Sequence, residues 1–225
     1  EHGLWEIKGG QLSQLPSPST NPRDVAYEGQ QIWVSTDGNG MFVRDAKENW
    51  TQWSKQDPQL GIATDQFYSI TPVGNDFWVG TFNDGITLFP KDARSIEKLR
   101  NPESFTYTSI QSALSIEASG GSIWVGYDGD GLVRYDQLGD SWKPTAFLDN
   151  ERNDYPQVVT SMQSNDDGTL WLGTFNDGLL QIDKDGQILK RFRAFTDFSL
   201  GLNNNNVWSL ASADGDSLWV GTLGG

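Results

Sequence analysis

Aromatic side chains stand beside asparagine and aspartate in three short segments that contain or precede a glycine. These segments are Phe82-Asn83-Asp84, Tyr127-Asp128 with Asp130, and Phe175-Asn176-Asp177, and Asp37 with Asn39 forms a fourth without the aromatic residue. A neutral sugar stacks its C–H face on an aromatic ring, while its hydroxyls need donors and acceptors. A short turn requires glycine, asparagine or aspartate, but not the aromatic residues. The combination predicts a site for a small polar ligand, with a saccharide as the favoured class.

The sequence offers few of the residues that common catalytic and metal-binding sites require. The chain has no cysteine and one histidine, His2, so a thiol nucleophile and a thiolate metal site are excluded and a Ser-His-Asp or zinc site lacks partners. The Asp-rich turns Asn165–Gly168 and Asp128–Asp130 lack the longer loop with a distal glutamate that a dedicated calcium site uses. We expect no metal and no cofactor.

Two acidic residues, Asp24 and Glu117, fall in strands that should face a central channel. A pair of carboxylates is the minimum for glycoside hydrolysis. The other residues of these strands are mostly serine, threonine, aromatic and aliphatic, so the chain is expected not to be an enzyme. A glycan-cleaving enzyme is kept as the third alternative.

Charge narrows the classes of partner. The chain of 225 residues carries 30 acidic against 16 basic side chains, a formal net charge of -14. Such a field repels phosphate backbones and anionic lipid headgroups, so nucleic acid and direct membrane contact are not expected. No apolar run approaches the roughly 18–20 residues that cross a bilayer.

A repeat organises the whole chain. Five segments of the type Trp-Val-Gly-Thr place a tryptophan at positions 33, 78, 124, 171 and 219, which are 45, 46, 47 and 48 residues apart. A period of about 45 residues is the length of a β-propeller blade, in which four short strands, here called A to D, fill each repeat. Strand B carries the tryptophan, and a tight turn such as Asn83-Asp84-Gly85 leads to strand C.

The two ends of the chain complement each other. Gly3–Ile7 is typical of a strand C that lacks its A and B, whereas the chain stops at Gly225, just after a strand B. We therefore predict a single all-β domain, residues 1–225, that forms a β-propeller of five four-stranded blades with the ring closed by strands from both termini. The alternative is a fragment of a larger, seven-bladed propeller.

The repeat resembles a known family. Gly201-Leu202, Asn206–Leu210, Asp214-Gly215 and Leu218–Thr222 are similar to the two-component regulator propeller repeat, and the units around Trp78 and Trp171 match nearly as well. This resemblance implies an extracytoplasmic sensor region of a bacterial membrane receptor, joined to a histidine kinase or a diguanylate cyclase, with carbohydrate ligands in some members.

Residues that vary between blades on one rim are the candidates for binding. The B–C turns and the D–A connections of such a propeller face the same end of the channel, so their side chains should converge. The turns supply the segments named above, and the connections add Arg23, Gln66, Tyr68, Tyr155, Gln157, Asn205, Asn206 and Trp208. In contrast, the five repeated tryptophans and the glycines Gly80, Gly126, Gly173 and Gly221 are expected to pack between sheets.

We expect a periplasmic or extracellular bacterial sensor propeller that binds a small polar ligand, with a homodimer contact or a membrane-proximal signalling segment as its further partner. A stand-alone propeller that binds glycans or proteins without signalling output is the first alternative.

Overall fold

All regular structure in the described part of the chain is β-strand. The computed structural model describes residues 3–15, 21–91, 96–99, 112–147, 155–195, 201–213 and 217–224. These residues form no helix that is long and apolar enough to cross a membrane. His2, Gly225 and the turn at 214–216 lie outside the described residues. The chain divides into unit 1, Glu1–Leu99, and unit 2, Arg100–Gly225, and the single domain stays a prediction.

Unit 1 contains a hairpin and two four-stranded antiparallel sheets, each built as a meander. The hairpin is β1 (Leu4–Lys8) and β2 (Gln11–Leu15); the first sheet is β3 (Pro22–Glu28), β4 (Gln31–Thr36), β5 (Met41–Arg44) and β6 (Trp50–Trp53); the second is β7 (Phe67–Val73), β8 (Asp76–Thr81), β9 (Ile86–Pro90) and β10 (Glu97–Lys98). The inner strands β3 and β7 of the two sheets contact each other.

Unit 2 repeats this plan. Its sheets are β11 (Ser112–Ser119), β12 (Ser122–Asp128), β13 (Leu132–Leu138) and β14 (Ser141–Ala146); β15 (Val159–Ser164), β16 (Leu170–Thr174), β17 (Leu179–Ile182) and β18 (Ile188–Phe192); and the two-stranded β19 (Val207–Ser212) and β20 (Leu218–Thr222). The inner strands β11, β15 and β19 are neighbours in that order. The predicted four-stranded repeat is therefore present in both units.

The sheet expected from the two ends of the chain is not confirmed. Within the described residues, β1–β2 and β19–β20 are separate two-stranded sheets, and neither combines strands from both ends. Strand β20 has one hydrogen-bonded neighbour, β19, whereas β16 pairs on both of its edges. The closed ring of five blades stays a prediction.

The repeated tryptophans pack between sheets where a following sheet covers them. Trp33 is 1 % exposed, and its ring centroid lies 4.2 Å from that of Phe77 in the next sheet. Trp78 and Trp124 are also buried, and Trp171 is half-buried. Trp219 differs: it is 73 % exposed and lies in β20 of the two-stranded sheet β19–β20.

The glycine two positions after the tryptophan allows this close approach. A Cβ atom at Gly126 would lie 2.6 Å from the Val159 carbonyl oxygen, and one at Gly173 would lie 2.8 Å from Cγ1 of Val207. Both valines belong to the inner strand of the next sheet, so the predicted role is confirmed for these two glycines. At Gly221 the nearest atoms belong to Ser209 of the same sheet.

Asp24 and Glu117, the two acids of the inner strands, tie neighbouring sheets together. Asp24 Oδ2 accepts the Ile70 N–H at 2.9 Å. Glu117 Oε1 accepts the N–H of Ser164 at 2.9 Å and donation from its hydroxyl at 2.6 Å. Each carboxylate thus satisfies a backbone donor of the next inner strand, which is a structural use of the two residues that a glycan-cleaving enzyme would need.

The turn glycines give a first prediction. Gly168 and Gly178 have the same φ of 80°, but a Cβ atom at Gly178 would lie 2.1 Å from the Phe192 carbonyl oxygen, whereas one at Gly168 meets nothing within 4 Å. Gly168→Ala should lose only the strain of a left-handed backbone, about 1–2 kcal/mol. Gly178→Ala should lose about 1–3 kcal/mol more through overpacking. Urea unfolding measures both, and equal losses would contradict this account.

The Glu117 bonds give a second prediction. Glu117→Ala leaves the Ser164 N–H without its acceptor and should lower the free energy of unfolding by about 1.5–3 kcal/mol. Glu117→Gln keeps an acceptor oxygen and should lose less. The exposed Glu97 supplies the control, since Glu97→Ala should stay within about 0.5 kcal/mol of the parent. Urea unfolding of the three variants measures these free energies. A loss of stability no larger for Glu117→Ala than for Glu97→Ala would contradict a stabilising role for the bond.

Asp24 gives a prediction about pH. Burial raises the pKa of the Asp24 carboxyl, although the N–H groups of Ile70 and Val25 partly oppose the shift. Because the folded pKa lies above the unfolded one, Asp24 favours folding most below the unfolded value of about 3.9, and this contribution is lost as pH rises through the folded pKa. The stability of the parent relative to Asp24→Asn should therefore fall as pH rises over this window. Urea unfolding at several pH values measures the difference, and a difference that is flat or rises with pH would contradict the raised pKa.

Candidate functional site

The B–C turns are held by the threonine that ends strand B. Its hydroxyl accepts the N–H of the third residue after it and donates to the glycine carbonyl that closes the turn. These bonds, of 2.6–3.2 Å, link Thr36 with Asn39 and Gly40, Thr81 with Asp84 and Gly85, and Thr174 with Asp177 and Gly178. Sequence reasoning missed this role, although the threonine recurs at one place in the repeat. The turn residues Asn39, Asp84 and Asp177 are oriented by these bonds.

Three of the described B–C turns also hold the D–A connection of the next sheet in their own unit. The Gly38 and Gly40 N–H groups both donate to the Asp65 carbonyl, at 3.0 and 2.9 Å. In unit 2, Gly129 and Gly131 donate in the same way to the Gln157 carbonyl, and Gly178 donates to the Asn205 carbonyl. Turns and connections therefore lie together at one end of adjacent sheets.

A β-bulge interrupts each of the five described inner strands near its start, at the second residue in β3, β7, β15 and β19 and at the third in β11. The register shifts between Pro22 and Asp24, Phe67 and Ser69, Ala113 and Ser115, Val159 and Ser161, and Val207 and Ser209. The bulged residues are Arg23, Tyr68, Leu114, Thr160 and Trp208. A bulge redirects a side chain away from the regular alternation of a strand, and bulges are common beside binding sites. Leu114 and Thr160 were not among the residues predicted from the sequence.

Five predicted residues of unit 1 meet in one cluster, which we call the Arg23 cluster: Arg23, Asp37, Gln66, Tyr68 and Phe82. Arg23 Nη2 donates to Asp37 Oδ2 at 2.7 Å, and Gln66 Nε2 donates to Asp37 Oδ1 at 3.2 Å. The guanidinium lies 4.9 Å from the centre of the Tyr68 ring, which meets Phe82 edge-on at 5.4 Å.

The positive charge of Arg23 is paired with the negative charge of Asp37 in this cluster. The hydrogen bond from Arg23 is the main reason that the pKa of Asp37 lies below its usual range, and the bond from Gln66 adds to the effect. Both carboxylate oxygens of Asp37 accept donors, while half of the Arg23 side chain is open to solvent. An oriented guanidinium, a primary amide and two aromatic rings can bind a ligand that offers hydroxyls and an apolar face.

The other turn residues of unit 1 stand at the edge of this cluster. Asn83 is exposed and has a positive φ of 153°, and Asp84 forms an ion pair with Lys98. Asn39 donates its backbone N–H to Thr36. The structure gives these three residues turn-forming or charge-pairing roles.

Two predicted aromatic residues of unit 2 also meet. Phe175 and Trp208 are 39 % and 52 % exposed, and their rings lie edge to face at 6.0 Å. Beside them, Asn206 Oδ1 accepts the Asn176 N–H at 2.8 Å, so this asparagine orders the turn. Asp177 pairs with Arg193 at 2.7 Å. Asn205 orders the connection, because its Oδ1 accepts the Ala194 N–H at 2.7 Å.

Tyr127 was expected on the exposed rim, and the structure corrects this. Its side chain is fully buried, and its hydroxyl lies 3.2 Å from that of Tyr135. Burial raises the pKa of both phenols, that of Tyr135 to about 12. The reason is positional, since Tyr127 occupies the place of the turn threonine, one residue before Phe82 and Phe175 in the repeat. Asp130 is also buried, so neither side chain offers a ligand an open surface.

Tyr155 is likewise placed away from an open rim. Its hydroxyl donates to the Gly186 carbonyl, its ring packs 6.0 Å from that of Phe147, and burial raises its pKa. Asp128 and the Gln157 side chain are exposed near the turn of the first sheet of unit 2. Asp128 forms a β-bridge with Val158, whose carbonyl accepts the Phe175 N–H at 3.2 Å.

The Asp-rich turn before β16 uses its acid locally. Asp167 Oδ1 accepts both the N–H and the hydroxyl of Thr169, at 2.9 and 2.6 Å, and these bonds lower its pKa. Within the described residues, no group of three histidine, aspartate or glutamate side chains could hold a metal ion.

A shallow cavity of about 290 Å³ lies on the open face of β19–β20 and is lined by Ser209, Leu210, Ala211, Trp219, Val220 and Gly221. In the preceding sheets the face around the equivalent glycine is covered by the next inner strand, as Val207 covers Gly173. The cavity therefore marks a packing face and not the turn end of the sheets.

Comparison with known proteins finds similar structures but no similar family model or curated sequence. No model of a protein family matches the chain, and no curated protein sequence matches it. The extracellular domain of the hybrid two-component system BT4673 from B. thetaiotaomicron aligns with a TM-score of 0.78 at 21% identity, over 95% of this chain and 28% of that one. That of BT3049 from the same organism aligns with a TM-score of 0.72 at 17% identity, over 98% and 28%.

PorZ, a bacterial surface component of the type IX secretion system of Porphyromonas gingivalis, aligns with a TM-score of 0.76 at 17% identity, over 98% of this chain and 35% of that one. The chain thus spans 28–35% of the length of these three proteins. The repeated four-stranded antiparallel sheets and these likenesses together show that the chain has the β-propeller fold.

Proposed function

We propose that this chain is the ligand-binding propeller of an extracytoplasmic bacterial sensor, and that its ligand is a small polar molecule of the saccharide class. The Arg23 cluster carries the proposal. It combines a solvent-accessible guanidinium, an amide and two aromatic rings at the turn end of adjacent sheets. Sugar recognition needs this mixture of hydrogen-bonding groups and ring faces.

The sensor role is supported by the likeness to extracellular domains of hybrid two-component systems. Such a domain works outside the cytoplasm, in the periplasm or at the cell surface. Its further partners in the proposal are a membrane-proximal signalling segment or a second protomer. For the architecture we keep the five-bladed ring predicted from the repeat.

Binding, and not catalysis, is the proposed activity. The inner-strand carboxylates of Asp24 and Glu117 accept hydrogen bonds from the next strand. Their use as structural acceptors supports a binding module over a glycan-cleaving enzyme.

A thermal-shift screen of neutral and acidic glycans and of metabolites tests the proposal first. A ligand at 100 times its dissociation constant stabilises the folded state by about 2.7 kcal/mol, which such a screen detects. The compound that gives the largest shift is then titrated calorimetrically against the parent and its variants.

Tyr68→Ala and Phe82→Ala should each weaken binding about 10- to 100-fold, which corresponds to about 1.4–2.7 kcal/mol. Arg23→Gln should weaken it as well, because the guanidinium supplies the exposed donors. The matched control is Tyr27→Ala in β3, which removes a ring that is 70 % exposed outside the cluster. If the three cluster variants bind as tightly as the Tyr27 variant, the proposed site is wrong.

A further inference from the structure

The bulged position of the inner strand carries a different residue in each repeat. In β7, β11, β15 and β19 the residue before the bulge is apolar and fully buried, and the residue after it is serine. Between these neighbours stand Tyr68, Leu114, Thr160 and Trp208, which differ in size and polarity. Since the ladder is paired on both sides of each bulge, the fold does not dictate the bulged side chain.

Three bulges of unit 2 lie on neighbouring strands. Leu114, Thr160 and Trp208 belong to β11, β15 and β19, which contact each other in that order. The Thr160 hydroxyl contacts the Val207 carbonyl, directly before Trp208, and lies 3.0 Å from the Gly173 carbonyl. The bulge of the middle strand is thereby oriented toward the bulge of the next. Leu114 and Thr160 are half-buried, and Trp208 is 52 % exposed.

Side-chain length then shapes the surface. Threonine is shorter than leucine or tryptophan, so the Thr160 side chain extends less far from its strand than Leu114 and Trp208 extend from theirs. The hydroxyl of Thr160 is hydrogen-bonded to a backbone carbonyl, so its methyl group points away from that carbonyl. None of the three side chains is charged, and Phe175 adds a second ring beside Trp208 at 6.0 Å.

We propose that Leu114, Thr160 and Trp208 line a ligand groove across the inner strands of unit 2, with Thr160 as its floor. The groove takes an uncharged ligand with an apolar face, such as a neutral sugar ring. It differs in chemistry from the Arg23 cluster, which presents a guanidinium. The inference rests on the proposed function in one respect, that the turn end of the sheets binds saccharides.

Thr160→Trp tests the groove by filling its floor. The bulge accommodates large residues in other repeats, as Tyr68 and Trp208 show. Thr160→Ser keeps the hydroxyl and serves as the matched control. Leu114→Ala and Trp208→Ala are second variants in case Thr160→Trp does not fold, which circular dichroism checks. The probes are the neutral disaccharides of glucose, galactose, mannose and xylose, titrated by calorimetry.

We expect Thr160→Trp and Trp208→Ala to weaken binding of at least one of these disaccharides tenfold or more, and Thr160→Ser to change it less than twofold. Tyr27→Ala, which lies outside the Arg23 cluster and the groove, should leave that affinity unchanged. Unchanged affinity in Thr160→Trp and Trp208→Ala overturns the groove; if Arg23→Gln and Tyr68→Ala then lower it, the proposed function stands. If no neutral disaccharide binds, the groove is also overturned, and the wider glycan and metabolite screen decides the proposed function separately.

Discussion

In three of the connections that the structure describes, one backbone carbonyl fixes how neighbouring sheets meet at the turn end. The Asp65 carbonyl accepts two N–H groups from the turn of the preceding sheet, and the Asn205 carbonyl accepts one. The residues that follow are placed by this constraint. Gln66 comes to lie 3.2 Å from Asp37, and Trp208 lies 6.0 Å from Phe175. The candidate sites of both units thus depend on bonds that involve no ligand-binding side chain.

The packing between sheets could be predicted from the repeat. Trp33 and Trp124 are buried, and Gly126 and Gly173 allow the next inner strand to approach, because these roles depend only on the period and on residue size. Trp219 shows the limit of this reasoning. Its sequence context equals that of the others, but burial depends on a neighbouring sheet, and the identity of a residue does not report whether that sheet is present.

The candidate site was predictable in part. The Arg23 cluster and the Phe175–Trp208 pair gather residues that were chosen for lying in turns and connections. Tyr127 was misplaced because its aromatic character was given more weight than its position, which aligns with the turn threonine. The bulges were missed because a run such as Val159–Met162 reads as regular alternation. Their trace in the sequence is a variable position between an apolar residue and a serine, seen in β7, β11, β15 and β19.

The local charges explain how an acidic chain can offer a polar surface for recognition. In unit 1, Asp37 is matched by Arg23 and Asp84 by Lys98; in unit 2, Asp177 is matched by Arg193. These pairs compensate the acids of three of the turns where the candidate residues lie. In these three turns the carboxylates are paired, so hydrogen-bond donors as well as acceptors stand there.

The repeated bulge has a consequence for the history of such a chain. A substitution at a bulged residue alters neither the tryptophan between the sheets nor the glycine N–H groups of the turn, since other residues supply them. Duplicated repeats can therefore diverge at this position while selection maintains the architecture. Single amino-acid changes there alter the surface of the turn end while the contacts that pack the sheets come from other residues.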